Sequence, residues 1–155
     1  MTDATTILSD YIIAPAHVGF VVEDLESAVE LARQLYGIDE DSIRYEPTPG
    51  VEAPTRFAFF TVGGLTFEYI QPCDDHYREL LFASPSGGGG INHIAWQVTD
   101  IDAAARVLAE HGVLPGYVTP DGVITIGRKR MLYLDPATAG GQLVELIEER
   151  AGELD

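Results

Sequence analysis

Residues 91–102 read INHIAWQVTDID, and residues 16–27 read AHVGFVVEDLES. Superimposed on His93 and His17, the two stretches share one pattern: Asp100 falls on Asp24, Ile101 on Leu25 and Ala104 on Ala28. Up to the aspartate the apolar residues alternate; beyond it they recur every three or four positions. That change of period marks a strand passing into a helix. The first helix is expected to present Leu25, Ala28, Val29, Ala32 and Leu35, and the second Ile101, Ala104, Ala105, Leu108 and Ala109. Each has an aspartate placed as N-cap and a glycine stop, Gly37 and Gly112.

Outward from these phrases the likeness continues. Each helix is followed by a linker rich in Pro and Gly, EPTPGVEAP and LPGYVTPDG, and then by strand-like runs, RFAFFTVGGLTFEYIQP and RKRMLYLDPATAGGQLVELIEE. Gly63-Gly64 and the loop around Gly140-Gly141 are the expected hairpin turns. The chain therefore reads as two β-α-β-β-β modules, 15–72 and 91–149, within one domain over 15–149. An extension at 1–14, a tail at 150–155 and a joining segment at 73–90 complete it. The joint carries a short helical run, DHYRELLF, and SPSGGGG, read as a hinge or mobile edge. The fold class is α+β, with paired modules forming a cupped mixed sheet. The repeat spans half the chain, too long for a solenoid and suited to a pseudo-twofold pair.

The last strand of each module contains a glutamate, Glu68 in LTFEYIQP and Glu145 in QLVELIEE. It lies 51 residues after His17 and 52 after His93 respectively. A lone buried histidine is ordinarily a ring hydrogen-bonded to backbone. Two histidines and two glutamates at duplicated positions are better explained by a shared divalent ion, for which an N2O2 set suits Zn, Co, Ni, Mn or Fe. Strand alternation puts His17 with Gly19 and His93 with Ala95, so that a small residue leaves space beside each imidazole, while Val18, Phe20, Val22 and Ile94, Trp96, Val98 face the helices. His76 and His111 stand outside the pattern and read as structural or solvated. The glycines at 87–90 precede a strand and make no phosphate-binding fingerprint.

Composition bounds the function. Nine bases against 25 acids give a formal charge of -16, which repels nucleic acid and anionic lipid. No apolar run approaches the roughly 20 residues of a spanning helix, and the start has no secretory pattern, so a cytoplasmic protein is expected. Cys73 is the only cysteine, which leaves no intrachain disulfide and no thiolate metal site. The consecutive Arg128, Lys129 and Arg130 are the one concentrated run of positive charge and a candidate anion contact.

The phrases HVGFVVEDLESAVELA, INHIAWQVTDID and DPATAGGQLVELIEE resemble the vicinal oxygen chelate (glyoxalase/bleomycin resistance/dioxygenase) superfamily, and within it most of all the methylmalonyl-CoA epimerases, over residues 15–149. The resemblance implies a divalent metal held by His17, Glu68, His93 and Glu145. It implies an enolate formed by removing a proton next to a carbonyl, Glu145 as the proton shuttle, and a small-molecule acyl-CoA substrate whose phosphates meet Arg128, Lys129 and Arg130. A homodimer is the expected assembly. A glyoxalase I-type lyase acting on a thiol hemithioacetal shares all four ligands, an Fe(II) dioxygenase needs only three, and a non-catalytic binder of the same fold typically loses them. One departure stands out: where some of these epimerases place a second glutamate base, this chain has Phe57 after Arg56, with Glu52 nearby in the linker.

Overall fold

The computed structural model describes residues 6–83 and 90–150. Module one consists of β1 (Ile12–Val21), α1 (Leu25–Tyr36), a 3-10 turn at Glu40–Ser42, β2 (Arg44–Glu46), β3 (Thr55–Val62) and β4 (Leu65–Pro72). Then α2 (Asp75–Phe82) occupies the joint. Module two follows as β5 (Ile91–Val98), α3 (Ile101–Glu110), β6 (Ile124–Ile126), β7 (Lys129–Tyr133), a 3-10 turn at Pro136–Thr138 and β8 (Val144–Glu149). Both modules are β-α-β-β-β, as the repeat implies. The strands hydrogen-bond in the order β2-β3-β4-β1-β5-β8-β7-β6. β1 and β4 are parallel while β2–β3, β3–β4, β6–β7 and β7–β8 are antiparallel, so the sheet is mixed and the class α+β.

The expected caps form. The Asp24 carboxylate accepts from the Ser27 amide at 2.9 Å and that of Asp100 from the Ala103 amide at 3.0 Å, each satisfying a first-turn donor. Gly37 ends α1 at φ 66, a left-handed conformation in which a Cβ is strained. Gly63 and Gly64, at φ 56 and 84, make the tight β3–β4 turn, since a two-residue hairpin with both central φ positive needs glycine there. The β7–β8 connection is longer. The 3-10 turn capped by Asp135 lies inside it, and Gly140-Gly141 is only its last part.

The chain divides into two compact units, His17–Ile94 and Met1–Ala16 with Ala95–Asp155, so the boundaries cut β1 just before His17 and β5 just after Ile94. In the first unit Leu25, Val29 and Ala32 of α1 bury against Ala58 and Phe60 of β3, with Ile43 completing the core and Val22, Phe67 and Tyr69 around it. In the second, Ile101, Ala104 and Leu108 of α3 bury against Val98, Leu132, Leu134 and Leu146, with Trp96 packed alongside. Three residues expected to bury do not. Leu35 is 65% exposed, Ala109 is exposed and Ile94 is 37% exposed. Among the described residues no helix is long and apolar enough to cross a membrane. Most of SPSGGGG, expected as a hinge, lies outside the described residues.

Candidate metal centre

Strand register brings the first three expected ligands together inside the unit His17–Ile94. Gly19 of β1 is paired with Glu68 of β4, and Glu68 with Phe59 of β3. Residues in register share a face, and His17 lies two positions before Gly19, so His17, Glu68 and Phe59 project from the face of the sheet opposite α1. On that face the rings of His17 and His93 meet at 5.1 Å between centroids and 80° between planes. Their Nε2 atoms lie 2.9 Å apart. Glu68 closes the triangle, Oε2 at 3.5 Å from His17 Nε2 and Oε1 at 3.7 Å from His93 Nε2. All three side chains are buried: His17 is 5% exposed, Glu68 7% and His93 1%.

This geometry fits a divalent ion. Nitrogens bound at about 2.1 Å to one ion lie about 3.0 Å apart at right angles and about 3.4 Å apart at the tetrahedral angle, and the sides of the triangle, 2.9, 3.5 and 3.7 Å, lie within a few tenths of an ångström of that range. Two neutral imidazoles can share one proton across 2.9 Å, but burying a carboxylate beside them calls for compensating positive charge. The donor set contains nitrogen and oxygen only, which leaves the borderline metals open and excludes a thiolate site.

The space for His93 is made by one residue. A Cβ built on Gly19 would lie 2.1 Å from His93 Cε1, 2.5 Å from Nδ1 and 2.6 Å from Nε2, so the imidazole occupies the volume that any side chain at position 19 would fill. The small residue beside the histidine thus seats the other module's ring. Beyond the ligands, the wall is aromatic. Phe59 meets His17 edge-on at 6.4 Å and stacks on Phe57 at 6.2 Å and 16°, and the Arg44 guanidinium caps Phe59 at 4.4 Å while pairing with Glu46. Phe57, in register with Ile70, is on this same face, so an aromatic ring stands where a second carboxylate was sought. Glu52 lines a separate groove with Gly50–Pro54, Arg56 and Cys73.

Glu145 belongs to the other unit. It sits on β8 in register with Tyr133 and is 2% exposed. Tyr133 is held in place by Thr119, whose hydroxyl accepts from the Tyr133 amide at 2.8 Å and lies 3.2 Å from its carbonyl. The basic tripeptide is split by strand alternation. Lys129 shares its face with Met131, Tyr133 and Glu145. Arg130 points to the α3 side, where it donates to Asp102 at 2.9 Å and approaches Glu148 at 3.8 Å. The guanidinium, mainly through this hydrogen bond, holds the Asp102 carboxyl below its usual value of 3.8. Arg128 is exposed.

With the fold and this triangle in view, the comparisons with known proteins decide the family. The sequence pattern of the Glyoxalase/Bleomycin resistance protein/Dioxygenase superfamily matches residues 16–126. The chain belongs to this superfamily. Within it the chain is similar to the ethylmalonyl-CoA/methylmalonyl-CoA epimerase of Cereibacter sphaeroides, 33% identical over 84% of this chain and 93% of that one. It is also similar to a 2-epi-5-epi-valiolone epimerase of an Actinomyces species, 33% identical over 90% of this chain and 81% of that one. Among solved structures, methylmalonyl-CoA epimerase from Mycobacterium tuberculosis superimposes with a TM-score of 0.67 at 26% identity, over 96% of this chain and 93% of the other. Those relatives are named for epimerisation.

Two features escaped the sequence reading. The aromatic wall is one: the sequence marks Phe57 as the position of an absent second base and does not single out Phe59, and only the β3–β4 register shows that the two rings line the Glu68 face together. Asn92 is the other. It is 5% exposed, and its Oδ1 lies 2.8 Å from His93 Nδ1. Alternation would send it away from His93, but burial along β5 breaks the two-residue period there, with Asn92 and His93 both buried between exposed Ile91 and Ile94. The polar residue inside INHIAW was the available signal.

Proposed function

We propose that this protein is a divalent-metal-dependent epimerase that removes and returns a proton next to a carbonyl, acting on an acyl-CoA such as methylmalonyl-CoA. The observation that carries the reading is the buried triangle of two imidazole nitrogens and a carboxylate, 2.9, 3.5 and 3.7 Å on its sides. His17, Glu68 and His93 hold the ion, and Glu145 completes the set from β8. A divalent ion bound there would supply Lewis-acid stabilisation of the negative charge that develops as the C–H bond ionises.

Glu145 takes the proton. A carboxylate among buried neighbours is partly stripped of water, which brings its basicity closer to that of the carbon acid it meets. Phe57 and Phe59 exclude water from the reacting face and keep the carbanionic carbon from being quenched at random. With Phe57 in place of a second carboxylate, return of the proton to the opposite face falls to Glu68. Lys129, on the Glu145 face, and exposed Arg128 meet the phosphates of the acyl-CoA. Arg130 joins them only by giving up its Asp102 partner. A cytoplasmic homodimer completes the reading, its assembly checked by sedimentation.

The Actinomyces relative favours a second substrate class. It matches a larger share of this chain at equal identity, and an aromatic wall suits a compact ring as well as a thioester. The deciding experiment purifies the protein without chelator, measures bound metal, and follows solvent deuterium into methylmalonyl-CoA, a cyclic polyhydroxyketone and a glutathione hemithioacetal. Stoichiometric metal with exchange into the acyl-CoA is expected. Exchange into the cyclic ketone alone moves the substrate class, turnover of the hemithioacetal makes it a lyase, and protein that takes up no divalent metal sinks the reading.

A further inference from the structure

The contact between Asn92 and His93 goes beyond the ligand set. With the Asn92 amide oriented so that Oδ1 faces the ring at 2.8 Å, His93 Nδ1 is the donor of this contact, since Oδ1 has no proton to give. A neutral imidazole carries one proton, and with that proton on Nδ1 the Nε2 lone pair is exposed. Nε2 is the atom that faces His17 Nε2 at 2.9 Å and Glu68 Oε1 at 3.7 Å. The hydrogen bond therefore sets the tautomer of His93 to the one that ligates.

Rotation of the ring is blocked from the other side. Gly19 lies under the imidazole so closely that a Cβ would come within 2.6 Å of both nitrogens, so the ring lies flat against the β1 backbone. A flip about χ2 would put carbon where Nδ1 now meets Asn92, losing a buried hydrogen bond on both partners. Glycine fixes the plane and asparagine fixes which edge faces outward. In the first copy of the repeat the residue before the histidine is Ala16, whose side chain accepts no hydrogen bond, so the copies differ at this position.

We propose that Asn92 is a positioning residue for metal binding, presetting His93 as the Nε2 ligand before the ion arrives. The proposal rests on the metal reading of His17, Glu68 and His93. Its test uses Co(II) binding by the metal-free full-length protein and 15N NMR of the histidine side chains, neither of which depends on turnover. Wild-type metal-free protein is expected to show His93 protonated on Nδ1. Asn92→Leu is expected to weaken Co(II) binding by about 10- to 100-fold. Asn92→Asp, which keeps the acceptor, is expected to bind at least as tightly as wild type. The inference is overturned by His93 protonated on Nε2 in the wild type, or by an Asn92→Leu protein that binds Co(II) within twofold of it. If Asn92→Leu does not fold, the wild-type tautomer and Asn92→Asp decide alone. Wild-type protein that binds no Co(II) sinks the metal reading itself, an outcome distinct from either.

Discussion

The two copies of the strand–helix phrase agree in what they supply and differ in how they hold it. Module one has Ala16, His17 and Gly19; module two has Asn92, His93 and Ala95. Both deliver an imidazole and, about fifty residues on, a buried glutamate. Module two places the Asn92 amide beside its histidine, where module one has Ala16 in the preceding position, and module one reduces position 19 to hydrogen so that the other ring can lie there. Duplication accounts for the ligands, and divergence between the copies accounts for their orientation. A site made by symmetric copies would hold an ion well and yet treat both faces of a substrate alike. An asymmetric one can give its two carboxylates different tasks.

The most forceful way to break this comparison is to remove one ligand from each copy. His93→Ala and His17→Ala are each expected to lower turnover by about 10³-fold, the several kcal/mol that Lewis-acid stabilisation provides. The carboxylates should separate where the histidines do not. Glu145→Gln is expected to keep metal but lose solvent exchange by about 10²- to 10⁴-fold, and Glu68→Gln to lose distinctly less. Equal losses in an exchange assay would show that the two modules share the proton work. Next comes the seat of the ring: Gly19→Ala forces His93 to move and is expected to cost about 1–3 kcal/mol of stability together with metal affinity, read by denaturant titration and Co(II) binding.

The helix caps sharpen the comparison at lower cost, because there the copies are alike. Asp24→Ala and Asp100→Ala should each lower Tm by about 2–4 °C, and a large difference between them would mean that one module dominates unfolding. The smallest effect lies in acid. The Asp24 carboxyl is held below its usual 3.8, chiefly by the Ser27 amide, and that of Asp102 by Arg130. A depressed folded pKa means stability that is present above the unfolded value and lost as pH falls through the lower folded one. Asp102→Asn should therefore lower stability by less than about 1 kcal/mol near neutral pH, since the pair is exposed, with the difference in urea titrations shrinking as pH falls through 3.8 and vanishing below the lower folded value.

Much of the fold was legible along the chain because its signals are local. The change of period at Asp24 and Asp100, the glycine at Gly37 and the Gly63-Gly64 turn each report a backbone conformation that neighbouring residues enforce. The misses lie where local signals end. Leu35, Ala109 and Ile94 are apolar and yet exposed, and whether an apolar residue is covered depends on what packs above it. The candidate site divides in the same way. His17, Glu68 and His93 could be paired from the repeat, since copies of one module place equivalent residues equivalently. Phe57 was sought as a carboxylate position, and that it forms part of an aromatic wall follows from pairing between β3 and β4.

By itself, then, the sequence determined the modules, the capped helices and the candidate set of His17, Glu68, His93 and Glu145, because periodicity, capping and duplication are properties of residues close together in the chain or copied within it. Tertiary structure alone decided that three of those side chains point at one another within 4 Å, that Gly19 seats the ring of His93, that Asn92 turns toward that ring against strand alternation, and that Arg130 is engaged by Asp102. Each of these depends on register between strands or on packing between elements far apart in sequence, and a shift of one residue in that register would reverse every face concerned.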